Sequence, residues 1–250
     1  MRLLKVLFVA LLCAGNASIV QAAEESEGTV LITGANRGIG LELATQYIAD
    51  GWNVIGTARR PDAADELRAT GATIVQLDVT DQDSVADMAA KLSGQAIDVL
   101  INNAGILPDI GTLADIDFDT YSRILAVNTV GPARVTQALI PNLKAGKLKK
   151  IMNTTSGLGS ITDNERGGFY GYRESKAALN MFTRTIAAEF GSDGFICIVM
   201  NPGWVQTDMG GPNAPTTVEQ SAAGIRSVIA NLSAKDNGTF WTFEGEQQAW

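Results

Sequence analysis

The sequence predicts an α/β fold of three layers, a Rossmann-type doubly wound parallel sheet with helices on both faces, in a single domain. Short, almost entirely apolar runs alternate with longer segments of helical period. Strands that are apolar throughout are typical of parallel sheets covered on both sides. The length of 250 residues and the hydrophobic fraction of 46% suit one domain with a sizeable core. The predicted strands are Thr29–Thr33, Asn53–Ala58, Thr73–Leu77, Ile97–Ile101, Lys149–Thr154, Phe195–Asn201 and a late one near 238–242. The predicted helices lie near 38–50, 62–70, 81–92, 119–143, 170–190 and 216–232.

The first 22 residues differ in composition from the rest of the chain. Arg2 and Lys5 form a basic start, Val6–Gly15 carries no charge, and Val20-Gln21-Ala22 offers small residues for cleavage. This layout predicts a signal peptide over 1–22, followed by the domain at 28–250, and the apolar run Val6–Gly15 is too short for a stable membrane span. It indicates a periplasmic or secreted protein. The alternative is an uncleaved extension on a cytoplasmic enzyme.

Composition excludes several classes of function. The chain has no histidine and two cysteines, Cys13 and Cys197, so we expect no metal site and no disulfide framework. A formal net charge of −8 argues against nucleic acid as a partner.

A glycine-rich turn directly follows the first predicted strand and opens the first helix. Its candidate ligand-binding residues are Gly34, Asn36, Arg37, Gly38, Ile39 and Gly40. Without Cβ atoms the backbone can approach a pyrophosphate closely, and a helix N-terminus offers free N–H groups. The strand–turn–helix order therefore predicts a dinucleotide site.

The end of the second predicted strand should lie beside the adenosine ribose. An acidic residue there would favour NAD, but this chain has Arg59 and Arg60, with Arg37 in the glycine turn. Guanidinium groups suit a 2′-phosphate, so the sequence favours NADP(H), with Arg37 and Arg59 as the phosphate ligands. The alternative is that Arg59 and Arg60 are merely solvated.

Tyr172 and Lys176 are four positions apart on a predicted helix and so share one face. A nearby ammonium group favours a phenolate, so we expect Lys176 to lower the pKa of Tyr172 and make it an acid/base. Tyr170 is a rival, but Glu174 stands where its lysine would be.

Taken together, these residues resemble the short-chain dehydrogenase/reductase family from about Thr29 onward. Within the family, the chain is most similar to the C-factor and sniffer-like carbonyl reductase group. The motifs are the glycine turn, Leu77-Asp78-Val79, Asn102-Asn103-Ala104-Gly105, Asn128 in Val-Asn-Thr-Val-Gly, Ser156 in Asn-Thr-Thr-Ser-Gly, the Tyr172/Lys176 pair and Pro202-Gly203.

The resemblance implies an NADP(H)-dependent enzyme that reduces a ketone, aldehyde or quinone to an alcohol, or the reverse. Tyr172 would be the acid/base, Lys176 would bind the nicotinamide ribose, and Ser156 would hydrogen-bond the substrate oxygen. Asn128 would hold a water that links Lys176 to solvent. The remaining cofactor contacts would be Asp78, Val79, Asn103, Ala104, Gly105, Pro202, Gly203, Val205 and Thr207. The family often forms homo-oligomers.

Three features leave the function open at this point. Ser156 and Tyr172 are 16 positions apart, more than in many family members, which predicts an insertion over Thr162–Gly168 near the pocket mouth. The stretch Thr207–Thr217 predicts a mobile loop that covers the substrate. The resemblance to C-factor also keeps an alternative open, an NADP(H)-binding signalling protein with little turnover.

Overall fold

A computed structural model of the protein describes residues 26–108 and 111–250. The predicted signal peptide lies outside these residues. Within them, seven strands form one sheet whose neighbours all pair in parallel, in the order β3-β2-β1-β4-β5-β6-β7. The strands are β1 (Thr29–Ile32), β2 (Asn53–Ala58), β3 (Thr73–Gln76), β4 (Val99–Asn102), β5 (Lys150–Thr154), β6 (Ile196–Asn201) and β7 (Phe240–Thr242).

The helices of the described residues follow the predicted alternation. They are α1 (Gly38–Ala49), α2 (Asp65–Ala69), α3 (Gln82–Lys91), α4 (Phe118–Leu125), α5 (Gly131–Ala145), α6 (Tyr172–Phe190) and α7 (Val218–Asn231). None of the helices in the described ranges is long and apolar enough to cross a membrane.

Apolar side chains fill both faces of the sheet because successive residues of a strand point to opposite sides. Val30 and Ile32 of β1 pack on one face with α1 and α7, whereas Leu31 packs on the other with α3, α5 and α6. The three-layer, doubly wound fold predicted from the sequence is therefore confirmed.

The strand order reverses direction at β1, because β2 lies on one side of it and β4 on the other. Such a reversal opens a crevice at the carboxyl ends of the strands, where ligands bind in open α/β sheets. The glycine turn follows β1 and Asn103 follows β4, so both predicted ligand segments meet there.

The predicted helix over 119–143 is interrupted. A π-helical segment at Ala126–Val130 separates α4 from α5. Pro132 has no N–H, so it cannot donate to the carbonyl of Asn128 four residues earlier, and Gly131 adds freedom beside it. The break therefore falls at Asn128, one of the predicted catalytic residues.

The predicted helix near 62–70 is also shorter than expected. Pro61–Ala63 forms a single 3₁₀ turn, and α2 begins only at Asp65. Pro61 fixes its own backbone angle and lacks a donor, which favours a tight turn here over one continuous helix.

A buried lysine ties β5 to the end of α7. Lys150 is buried, and its ammonium group donates to the carbonyl oxygens of Ile229 (2.6 Å) and Ala230 (3.3 Å). The last carbonyls of a helix have no partner within it and carry partial negative charge. Burial lowers the pKa of Lys150, so its ammonium depends on these two carbonyls.

We expect Lys150→Met to lower the free energy of unfolding by about 2 kcal/mol, because it leaves two helix-end carbonyls without a charged donor. Denaturant unfolding of Lys150→Met and of a Lys91→Met control, whose lysine is exposed at the end of α3, measures the difference. Equal stability of the two variants would contradict this role.

Candidate active site

The glycine turn lies directly against the loop that follows β4. Gly34 and Gly38 have backbone φ angles of +65° and +55°, which favour glycine. A Cβ on Gly34 would lie 3.1 Å from the Cα of Ala104, and one on Gly40 would lie 2.4 Å from the carbonyl oxygen of Gly34. Side chains at these positions would push the turn away from the sheet.

Hydrogen bonds fix the two segments to each other. The Thr33 hydroxyl accepts from the backbone N–H groups of Asn103 and Ala104, both at 3.0 Å. The Asn103 side-chain amide donates to the carbonyl oxygens of Thr33 (3.0 Å) and Gly34 (3.2 Å). The end of β4 thereby fixes the position of the glycine turn.

The N-terminus of α1 is built to receive an anion. The helix begins after Arg37, whose backbone is extended, with no side-chain cap and no acidic residue in the first turn. Uncapped N–H groups and the helix dipole therefore give this end partial positive charge. A pyrophosphate fits such a site without any further cation.

Three arginines, Arg37, Arg59 and Arg123, line the same cavity as the glycine turn. Arg59 is exposed at the end of β2, and its charge, with that of Arg123, acts on Asp78. Burial alone would raise the pKa of Asp78, but hydrogen bonds from Thr80 and the two arginines outweigh it and hold the pKa below its usual range. Arg37 is exposed and pairs with Asp208 across the cleft at 3.0 Å.

Asn128 is completely buried and its amide is fully engaged. Its Oδ1 accepts from the backbone N–H of Ile106, and its Nδ2 donates to the carbonyl of Ile106, both at 2.9 Å. Nδ2 also donates to the Ser175 hydroxyl at 3.1 Å, which in turn donates to the Tyr172 carbonyl at 2.7 Å. Asn128 thus joins the loop after β4 to the first turn of α6.

Tyr172 and Lys176 lie together at the start of α6, both buried, as their spacing predicts. The Lys176 ammonium is 5.5 Å from the centre of the Tyr172 ring and donates to the carbonyl of Thr154 at 2.8 Å. A Cβ on Gly105 would lie 3.7 Å from this ammonium. The loop after β4 therefore forms the wall beside Lys176.

The pKa of Tyr172 differs from the sequence prediction. Burial raises it to about 12, and a hydrogen bond with the Ser156 side chain offsets only part of that effect. Burial also lowers the pKa of Lys176 to about 8. The lowering of the Tyr172 pKa that we expect from Lys176 is absent. Removal of the phenol from water has the larger effect, and the Lys176 ammonium donates to the carbonyl of Thr154.

Ser156 is placed by the turn that follows β5. Its hydroxyl oxygen accepts from the backbone N–H of Leu158 at 3.1 Å and caps the 3₁₀ turn Gly157–Gly159. A Cβ on Gly159 would lie 2.7 Å from the Cβ of Lys176, so this turn packs directly on α6. The close approach sets Ser156 beside Tyr172.

A single cavity connects the glycine turn with Tyr172 and Lys176. Its volume of about 1320 Å³ exceeds the roughly 300–1,000 Å³ of a typical drug-sized site. The predicted residues that line it are Gly34, Asn36, Arg37, Gly38, Ile39, Arg59, Asp78, Val79, Asn103, Ala104, Gly105, Tyr172, Lys176, Pro202 and Thr207. The predicted residues outside this lining are Gly40, Asn128, Ser156, Gly203 and Val205. Of these, Gly40 and Asn128 act through packing and hydrogen bonds, as described above.

Gly203 and Val205 shape the segment that follows β6. Gly203 has a φ of +84°, and a Cβ there would lie 2.7 Å from the Phe243 ring. Val205 is buried and bridges Thr216. The segment Thr207–Thr217 therefore starts from a fixed base, and Thr207, Asp208 and Met209 line the cavity. That this segment covers the substrate, and that it is mobile, both stay predictions.

The sequence did not single out several residues that line the cavity. Thr57 accepts from the backbone N–H of Gly34 at 3.4 Å, and Arg123 reaches the cavity from α4. Glu66 and Thr80 line it as well. No local motif marks these residues, although Gly131-Pro132 does signal the helix break beside Asn128. The rival Tyr170 is half-buried and does not line the cavity.

Comparison with known proteins agrees with this geometry. A model of the short chain dehydrogenase family matches residues 28–217. The NADPH-bound carbonyl reductase from chicken fatty liver is 36% identical, with a TM-score of 0.83 over 90% of this chain and 100% of that one. Carbonyl reductase Sniffer of D. melanogaster is 32% identical, with a TM-score of 0.83 over 89% and 99%. The C-signal protein of Myxococcus xanthus is 42% identical over 154 residues, which is 62% of this chain and 93% of that protein.

The protein therefore belongs to the short-chain dehydrogenase family of oxidoreductases. Within the family its relatives include sniffer-like carbonyl reductases and C-signal, as the motifs predicted.

We expect Gly40→Ala to weaken NADPH binding at least about tenfold, because the new methyl group meets the Gly34 carbonyl and forces the turn outward. Fluorescence titration of NADPH measures the effect. Gly51→Ala is the control, since it strains a φ of +79° where nothing lies within 4 Å. Unchanged affinity in Gly40→Ala would refute the close-approach argument.

Proposed function

We propose that the protein reduces a carbonyl compound to an alcohol with NADP(H), and that Tyr172 is the proton donor. The observation that carries this proposal is one cavity lined by Tyr172 and Lys176, by the glycine turn and by Arg59. Relatives bound to NADPH or NADP support the choice of cofactor. A bound nicotinamide supplies the hydride for the reduction.

The residues of the cavity fit the proposed cofactor. The uncapped N-terminus of α1 would hold the pyrophosphate, and the lining glycines leave room for it. Arg59, with Arg37, would bind the 2′-phosphate, while Asp78 and Val79 would contact the adenine. Asn103, Ala104 and Gly105 would line the dinucleotide, and Pro202 to Thr207 would border the nicotinamide.

Burial gives Tyr172 the properties of an acid. With a pKa raised to about 12, its phenol is protonated at neutral pH and can donate to the carbonyl oxygen as the carbonyl carbon gains the hydride. The Ser156 hydroxyl would donate a hydrogen bond to the same oxygen and stabilise the charge that develops there.

Lys176 and Asn128 would restore the proton that Tyr172 gives up. The Lys176 ammonium lies beside the phenol, and burial holds its pKa near 8, so it can exchange a proton near physiological pH. The backbone carbonyl of Asn128, to which Pro132 cannot donate, would hold a water that links Lys176 to solvent.

A second candidate function is NADP(H)-dependent signalling with little turnover, which the relation to C-signal favours. NADPH binding without oxidation over a broad panel of ketones, aldehydes and quinones would support it. The presence of both a proton donor and a buried ammonium in one cavity favours the enzyme, since a nucleotide sensor has no need of them.

We expect Tyr172→Phe to lower kcat/KM for carbonyl reduction by about 10²- to 10⁴-fold, because it removes only the proton donor. NADPH should still bind. NADPH oxidation at 340 nm with residues 23–250 measures turnover, and Tyr170→Phe is the matched control. Turnover retained in Tyr172→Phe would overturn the assignment of the acid.

We expect Arg59→Asp to shift the preference from NADPH toward NADH by roughly 10- to 100-fold in kcat/KM, since it removes a charged ligand and adds an acceptor for a ribose hydroxyl. Arg60→Asp makes the same change of charge at the next residue, which does not line the cavity, and should leave the preference intact. An equal shift in both variants would mean that the nucleotide preference follows net charge and that Arg59 is not a specific ligand of the 2′-phosphate.

A further inference from the structure

Gln248 lies far along the chain from Ser156 but close to it in the fold. The chain after β7 turns back on itself, since Gln247 bridges Trp241 in antiparallel fashion and the Gln248 N–H donates to the Phe240 carbonyl at 2.9 Å. These backbone bonds fix where the Gln248 side chain begins.

The Gln248 amide contacts three separate segments around the Ser156 turn. Its Oε1 accepts from the Asn201 side-chain amide at 3.1 Å, and its Nε2 donates to Asp163 at 3.4 Å. A Cβ on Gly157 would lie 3.2 Å from the Gln248 Nε2 and 3.2 Å from the Asn201 Nδ2. The paired amides of Asn201 and Gln248 therefore pack against the residue that follows Ser156.

These contact points do not line the cavity themselves but support segments next to it. Asn201 ends β6, and its Oδ1 accepts from the Gly203 N–H at 3.1 Å, which fixes the Pro202-Gly203 turn. Asp163 lies in the predicted insertion, and the backbone of its neighbour Thr162 donates to the carbonyl of Trp250 at 3.0 Å. The segment after β7 thus links the cofactor side, the Ser156 turn and the insertion.

We propose that Gln248 is a positioning residue that sets the Ser156 hydroxyl against the reacting carbonyl oxygen. It does so through Asn201 and Gly157, without touching substrate itself. This inference rests on the proposed function, in which Ser156 binds that oxygen. A misplacement of about 1 Å at a catalytic group can cost up to 10²-fold in rate, so a side chain that holds the turn can control kcat.

The test is Gln248→Met, which keeps the length of the side chain and removes both hydrogen bonds. We expect kcat for carbonyl reduction to fall roughly tenfold, with the Kd for NADPH and the melting temperature unchanged. Gln247→Met, at the neighbouring exposed residue, is the matched control and should retain the wild-type kcat. Gln248→Glu keeps the acceptor for Asn201, and a simultaneous Asp163→Asn supplies a donor in place of the opposing carboxylate, so this double variant should recover most of the activity.

A double variant separates positioning of Ser156 from a general structural role. In a Ser156→Ala background, Gln248→Met should lower single-turnover reduction no further, because both changes act on the same hydroxyl. An additional tenfold loss there, or a wild-type kcat in Gln248→Met alone, would overturn the inference. A wild-type protein that does not reduce carbonyls would instead overturn the proposed function, and the inference with it.

Discussion

The catalytic geometry depends on the hydrogen bonds by which Asn128 joins α6 to the loop after β4. Asn128 binds both backbone groups of Ile106 and the Ser175 hydroxyl, and Ser175 binds the Tyr172 carbonyl. These bonds are shielded from water, so losing any of them leaves a buried polar group without a partner. They hold Tyr172, the proposed proton donor, at a fixed distance from the loop after β4, which lines the cavity.

The helix break beside Asn128 has its own local cause in Pro132. Regular helix would commit the Asn128 carbonyl to a donor four residues on, and Pro132 has none. The π segment accommodates this and leaves α5 free to pack under the sheet through Val135 and Leu139. Short π-helical segments are frequent at functional sites.

Burial then sets the chemistry of the two groups at the start of α6. It raises the pKa of Tyr172 and lowers that of Lys176, since each neutral form is favoured away from water. The phenol keeps its proton at neutral pH, while the ammonium is poised to lose one. In the proposed reduction, the phenol would therefore enter the reaction in the form that can give its proton to an oxygen.

Local sequence was enough to predict the glycine turn, the seven strands and the shared face of Tyr172 and Lys176, because each depends on residues close together in the chain. It was not enough for Arg123, Asp208 or Gln248, whose positions depend on how distant segments pack. Gly131-Pro132 is a local signal for the π segment. The position that this segment gives Asn128 depends on the fold, which local sequence does not determine. Predicting that the pKa of Tyr172 rises and that of Lys176 falls also requires knowledge that both residues are buried.

The pH dependence of carbonyl reduction tests this account most directly. If Lys176 must be protonated to support Tyr172, and burial holds its pKa at about 8, kcat/KM should be level below that pH. It should then fall about tenfold per pH unit above it, with enzyme stability checked at each pH. A profile that stays flat to about pH 10, or rises there as a required phenolate forms, would contradict the roles assigned to Tyr172 and Lys176.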